Sequence, residues 1–208
     1  MRLSAYIVRH DTGFSPNPFG GICTLACCKP SIRRAARRGD IIVGSGSASH
    51  GLSGRLVYAM RVETILPFDE YWVRFPSRRP SLRSPVKRRG DNIWHRDSLG
   101  HWRCAPHGFH DEGDRSRDIG GHSVLMSRDF YYFGRSAIGI PQEFLCLIAV
   151  TQGHRNTDDA LLISEFWKWV SGIAFRLGRS GLPAQFGELG CDVCDCLPRP
   201  ASTNSRCG

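Results

Sequence analysis

The segment that most constrains this chain is RRGDIIVGSGS, Arg37 to Ser47, read together with the strand-like stretch after it. An apolar run at Ile41 to Val43 leads into glycines and serines, as it does in nucleotide-binding proteins. The next ordered stretch, RLVYAMRV at Arg55 to Val62, alternates with the period of a strand. Leu56, Tyr58, Met60 and Val62 fall on one side of it; Val57, Ala59 and Arg61 fall on the other. Phosphate loops instead open a helix, whose N-terminus holds the phosphate. Ser49 also stands where a dinucleotide fingerprint needs its third glycine, and no Gly-Lys-Ser/Thr occurs anywhere. Both nucleotide loops are therefore excluded. There remains a strand–loop–strand unit: either its small residues Ser45, Gly46 and Ser47 admit a ligand to the backbone, or they form a plain hairpin loop.

The flanking sequence supplies the other elements. Ala5 to His10 reads as a first strand, and DTGFSPNPFGG after it as a loop carrying Phe14, Asn17 and Phe19. Pro30 suits the first turn of a helix that Gly39 stops, with Arg33, Arg34, Arg37 and Arg38 spread over its exposed face. Phe68 and Trp72 behind Pro67 predict one or two helical turns. Residues 73–90 form a basic, proline-rich insertion without an acid, expected as a loop that a polyanion gathers. An irregular loop over 91–121, rich in Asp, His and Gly, embeds Trp94 and Trp102. Two short extended pieces flank Ser127 to Asp129. The clearest helix is 157–173, capped by Thr157, with Leu162, Phe166, Trp169 and Ile173 as its apolar stripe. One domain over 1–190 and a mobile, Cys-containing tail over 191–208 are expected.

The net charge of +9, from 28 Lys and Arg against 19 acids, favours a polyanionic partner. No apolar run is long enough to span a membrane and the first residues carry no signal-peptide pattern, so a cytoplasmic protein without a membrane partner is expected. Nine cysteines, an odd number without a secretion signal, argue against a disulfide framework. Cys23, Cys27, Cys28 and Cys146 read as small core residues. The cysteines at 191, 194, 196 and 207 lack a second ligand pair. His95, His101, His107 and His110 lie near Asp91, Asp97, Asp111 and Asp114, but with no metal-binding spacing. No metal, no cofactor and no identified catalytic residue is the expectation. Gly-His-Ser at 121–123 is not a nucleophile elbow. Trp72, Trp94, Trp102, Tyr131 and Tyr132, interleaved with arginines, suit the stacking of bases.

The order FGG, CTLACCKPSIRR, RRGDIIVGSGS, LVYAMRV, FDEYW, GDNIWH, FYYFG and a late Gly-His resembles the second of the nucleotide modification associated domain families, over roughly residues 4 to 190. Those are small bacterial and phage proteins linked to modified DNA bases. The layout is also similar to the PUA-like group, with its EVE, YTH and ASCH branches. That resemblance implies an α+β fold: a small, strongly curved β-barrel with flanking helices. It implies binding to nucleic acid, DNA with modified bases, and a pocket holding one flipped base. By position the pocket residues would be Asn17, Ser45, Gly46, Ser47 and Trp72, with Asn92, Trp94 and Tyr131 as wall or edge. Backbone phosphates would meet Arg33, Arg34, Arg37, Arg78, Arg79, Lys87, Arg88 and Arg89. The ASCH branch keeps an enzyme acting on a modified nucleotide as the alternative, with Asp91 or His122 as the residues to change.

Overall fold

A computed structural model describes residues 1–148, 153–173 and 177–187. In chain order the first half holds β1 (Leu3–Val8), β2 (Cys23–Leu25), α1 (Pro30–Ala35), β3 (Ile41–Gly46), β4 (Arg55–Arg61), β5 (Thr64–Pro67), α2 (Phe68–Arg74) and α3 (Pro85–Arg88). The second half holds β6 (Trp94–Arg96), β7 (Trp102–Cys104), α4 (Arg115–Ile119), β8 (Ser123–Ser127), β9 (Phe130–Tyr132), β10 (Ile138–Gly139), β11 (His154–Thr157), α5 (Ala160–Ile173) and β12 (Gly178–Arg179).

A large sheet runs β11-β1-β3-β4-β9-β12 with β10 beside β4; a second runs β2-β8-β5, and β6 pairs with β7. The parallel pairs are β1 with β3 and β12 with β9. The consecutive strands β4 and β5, and again β8 and β9, lie in different sheets. The chain thus steps between sheets at both points instead of continuing round a ring. Among the described residues the fold is mixed α/β, and its sheets do not close into the barrel that the PUA-like resemblance implies.

Three apolar clusters explain the layering. Leu3, Ala5, Ile41 and Val43 face Ile163, Phe166 and Val170 of α5. Tyr6, Val8 and Ile42, from the opposite face of the same strands, meet Leu25, Ile32 and Leu125 between the two sheets. Phe68, Tyr71 and Trp94 gather with Phe14, Val124 and Met126 beyond the second sheet. Each fully buried Leu, Ile, Val or Phe contributes about 1.5–3 kcal/mol. A central strand covered on both faces therefore has to be apolar throughout, as Ile41 to Val43 is.

Two sequence expectations shift for physical reasons. Pairing slips between Gly44 and Ser45, so Tyr58 opposes Gly44 while Leu56 opposes Ser45. That bulge in β4 breaks the alternation: Leu56 and Ala59 face α5, whereas Val57, Tyr58 and Met60 lie between the sheets. In α5 the buried stripe is Ile163, Phe166 and Val170, with Ile173 46% exposed. Thr157 is held in β11 opposite Leu3, so Asp159 caps the helix instead, accepting from the Leu162 N–H at 3.1 Å. No helix among the described residues is long and apolar enough to cross a membrane.

Candidate functional site

After β2 the chain turns through Cys28 (φ 59°) and Lys29 (φ 43°), both left-handed, into α1, which begins at Pro30. Non-glycine residues take this region rarely, so the turn must be held from outside. Arg33 holds it. Its buried guanidinium donates to the carbonyls of Cys28 at 2.7 Å, Ser123 at 2.8 Å and Asp118, tying α1 to α4 and β8. The helix pattern places Arg33 on an exposed face. It is instead 1% exposed because three carbonyls converge on it.

Asp118, fully buried in α4, accepts from the Cys28 N–H at 2.9 Å and the Trp94 indole N–H at 3.0 Å. Its Oδ2 also lies 2.6 Å from Nδ1 of His110, whose Nε2 is 3.5 Å from Cys28 Sγ. Thiol, imidazole and buried carboxylate therefore form one chain. Burial alone would lower the His110 pKa, but the bonds to Asp118 and Cys28 outweigh it and raise it to about 9. Burial would raise the Asp118 pKa, but His110 and the N–H donors hold it below the usual carboxylate range. Both shifts favour imidazolium beside carboxylate.

Cys27 Sγ, His110 and Asp118 place donor atoms within 4.8 Å of one another, close enough to share a cation. Such an ion would compete with the N–H groups that Asp118 already serves. Burial also pushes the Cys27 thiol well above its ordinary value, which opposes the thiolate that a metal requires.

Cys28 and His110 open onto a cavity of about 650 Å³. It lies where the end of β1 meets α1, with walls from Tyr6, Phe14, Phe109 and His154 and the cations Arg9, Lys29 and Arg117. Phe14 stacks on Phe109 at 4.8 Å and meets the edge of His110 at 4.9 Å. Lys29 Nζ sits 4.6 Å from the Tyr6 ring centroid. The cavity thus lies by the carboxyl end of a strand in a parallel pair, a common place for ligands in open sheets.

None of the eight base-pocket candidates is among the residues lining this cavity. Asn17 donates to the Arg89 carbonyl at 2.7 Å, and Asn92 to those of Tyr71 and Phe75 at 2.9 and 3.0 Å. Ser45 Oγ reaches the Tyr6 carbonyl at 3.4 Å, and Ser47 caps the short turn after β3. The space that a ligand would need beside β3 is filled: a Cβ at Gly44 would overlap Tyr58 and Val8, and one at Gly46 would overlap Leu52. Trp72 has the His95 ring stacked 3.9 Å away and Arg79 at 3.8 Å from its centroid, so both of its faces are taken. Tyr131 lies against Trp167 in the α5 core. Trp94 joins the chain of Cys28, His110 and Asp118 through its bond to Asp118.

The basic insertion is ordered as a short turn at Pro76–Arg78 followed by α3. Arg78 donates to the Phe19 and Ile22 carbonyls; Arg89 donates to those of Thr12, Pro85 and Phe186. Arg34 binds the Gly120 carbonyl, Arg88 is half-buried, and Arg37 and Lys87 are exposed. Asp91 is buried between Thr24, Tyr71 and Arg78, and His122 is exposed. Of the cysteines expected in the core, Cys23 and Cys27 are buried, Cys28 is half-buried at the cavity and Cys146 is exposed. Those at 191, 194, 196 and 207 lie outside the described residues. Cys28, paired with His110 and Asp118, is the group that local sequence reading missed. Its signal was a cysteine directly before Lys-Pro, together with a His eight residues ahead of an Asp in a loop.

A model of the family described as nucleotide modification associated domain 2 matches residues 1–189. No curated protein and no solved structure matches the chain.

Proposed function

This chain belongs to the nucleotide modification associated domain 2 family, and on that premise we propose that it is an enzyme acting on a modified nucleotide, with Cys28 as nucleophile. One observation carries the reading: Cys28 Sγ, His110 and Asp118 are linked at 3.5 and 2.6 Å on the wall of a cavity of nucleotide size. His110, held as imidazolium, supports the Cys28 thiolate through its Nε2–H once the thiol proton has passed to solvent, and Asp118 fixes the ring and stabilises its charge. The thiolate attacks an electrophilic carbon of the group carried by the nucleotide. His110 then gives its Nε2 proton to the leaving group, and water or an acceptor releases the covalent intermediate.

The test is turnover of modified nucleosides and nucleotides by the full chain, with intact-mass detection of an adduct on Cys28. Cys28→Ala and His110→Ala should abolish both signals; turnover that survives Cys28→Ala refutes the reading.

A second reading, binding of DNA with recognition of one flipped modified base, rests on the net charge of +9 and the exposed Arg34, Arg37 and Lys87. Residues 1–190 would act as one unit in either case. Titration of duplexes with and without modified pyrimidines at two salt concentrations tests it. Binding indifferent to both salt and modification counts against it.

A further inference from the structure

The wall of the cavity is one-sided in charge. Arg9, Lys29 and Arg117 line it, and no aspartate or glutamate stands among the described lining residues. Arg117 has acids behind it, with Asp114 at 2.8 Å and Asp118 at 3.6 Å. Among the described residues, Arg9 and Lys29 have no carboxylate within ion-pair distance. Lys29 is held at the cavity by a left-handed backbone and by the Tyr6 ring beneath its ammonium. Burial lowers its pKa first, Cys28 opposes this, and Arg9 and Arg117 lower it further. Like charges gathered in a partly desolvated wall repel one another until an anion enters.

We infer that the cavity binds a phosphate monoester through Arg9, Lys29 and Arg117, so that the substrate acted on at Cys28 is a free nucleotide and not a base within a strand. The charge count carries the distinction. Two unpaired cations and a shared third match a monoester, which carries about −1.5 to −2 at neutral pH, better than the single charge of an internal diester. The reaction then takes place on the nucleotide outside a polymer. The inference rests on the thiol reading for its chemistry but not for its binding.

Calorimetric titration of the full chain carrying Cys28→Ser separates the two. The probes are inorganic phosphate, thymidine 5′-monophosphate, thymidine and the diester-linked dinucleotide thymidylyl-thymidine. The monophosphate should bind at least about tenfold tighter than thymidine or the dinucleotide, and inorganic phosphate should compete with it. Lys29→Met should remove the preference and Lys29→Arg should keep it, each with an unchanged melting temperature. Equal affinity for monophosphate and thymidine overturns the inference, as does a dinucleotide that binds as tightly as the monophosphate. Absence of binding by both inorganic phosphate and the monophosphate overturns it too. If this preference holds while wild-type protein shows no Cys28-dependent turnover, the thiol mechanism fails and phosphate recognition stands.

Discussion

Cys28 Sγ lies 3.5 Å from Nε2 of His110, while the opposite ring nitrogen of His110 is fixed 2.6 Å from the buried carboxylate of Asp118. The ring is held from behind and aimed at the thiol. Arg117 Nη2 also comes within 3.4 Å of Nε2. An arginine only donates, so that contact forms only when Nε2 carries no proton and it competes with the thiol for the ring.

Asp118→Asn keeps the shape of the side chain but removes the charge that holds His110. The His110 titration should fall from about 9 toward 6.5. Turnover should fall by about 10²-fold or more, the usual scale for a mispositioned acid–base group. Ring-proton NMR across pH and steady-state rates check both; an unmoved His110 titration would falsify the coupling.

His110 and His107, both packed against Phe14, should shape opposite limbs of the stability profile. Folding raises the His110 pKa from 6.5 to about 9, so its stabilisation is complete below 6.5 and is lost as pH rises through 9. His107, stacked on Phe14, is lowered from 6.5 to about 4, by burial first and by His110 second. Its contribution is complete above 6.5 and is lost as pH falls toward 4. Urea unfolding at a series of pH values should show the alkaline loss reduced in His110→Gln and the acid loss reduced in His107→Gln.

Sequence periodicity located β3, β4, the pair β8 and β9, and α5, because each carries a local apolar pattern. It missed how the strands sort into sheets, since β8 and β9 are separated by only two residues yet belong to different sheets. It also missed the site. Cys28 and His110 are 82 positions apart, and Cys28 and Asp118 are 90 apart, so no local spacing joins them. Arg33, Arg78 and Arg89 looked like a surface because charge pattern says nothing of carbonyls that converge in space.

The glycines of the GSGS strand should behave as packing residues. Gly44→Ala sets a methyl against Tyr58 and Val8 in a closed core, and overpacking of that kind costs about 1–3 kcal/mol. Arg33→Met strands three buried carbonyls, each costing on the order of 1 kcal/mol or more. Thermal melts should register both losses. A Gly44→Ala protein as stable as wild type, yet with altered ligand binding, would point back to a ligand beside β3.

The basic residues of the insertion should separate by burial. Lys87→Ala, and Arg37→Ala outside the insertion, should each reduce the salt slope of DNA binding by about 1 while leaving stability unchanged. Arg78→Ala and Arg89→Ala should instead lower the melting temperature, because their guanidinium groups hold loop carbonyls. Fluorescence titrations over a salt series, paired with melts, distinguish the two groups.

The most direct test is the rate at which iodoacetamide alkylates each cysteine, resolved by peptide mass spectrometry, in wild type and His110→Gln. Cys28 should react fastest despite being less exposed than Cys146, and His110→Gln should slow it by about tenfold or more without changing Cys146. A Cys28 that reacts no faster than Cys146, at a rate indifferent to His110, would contradict the account.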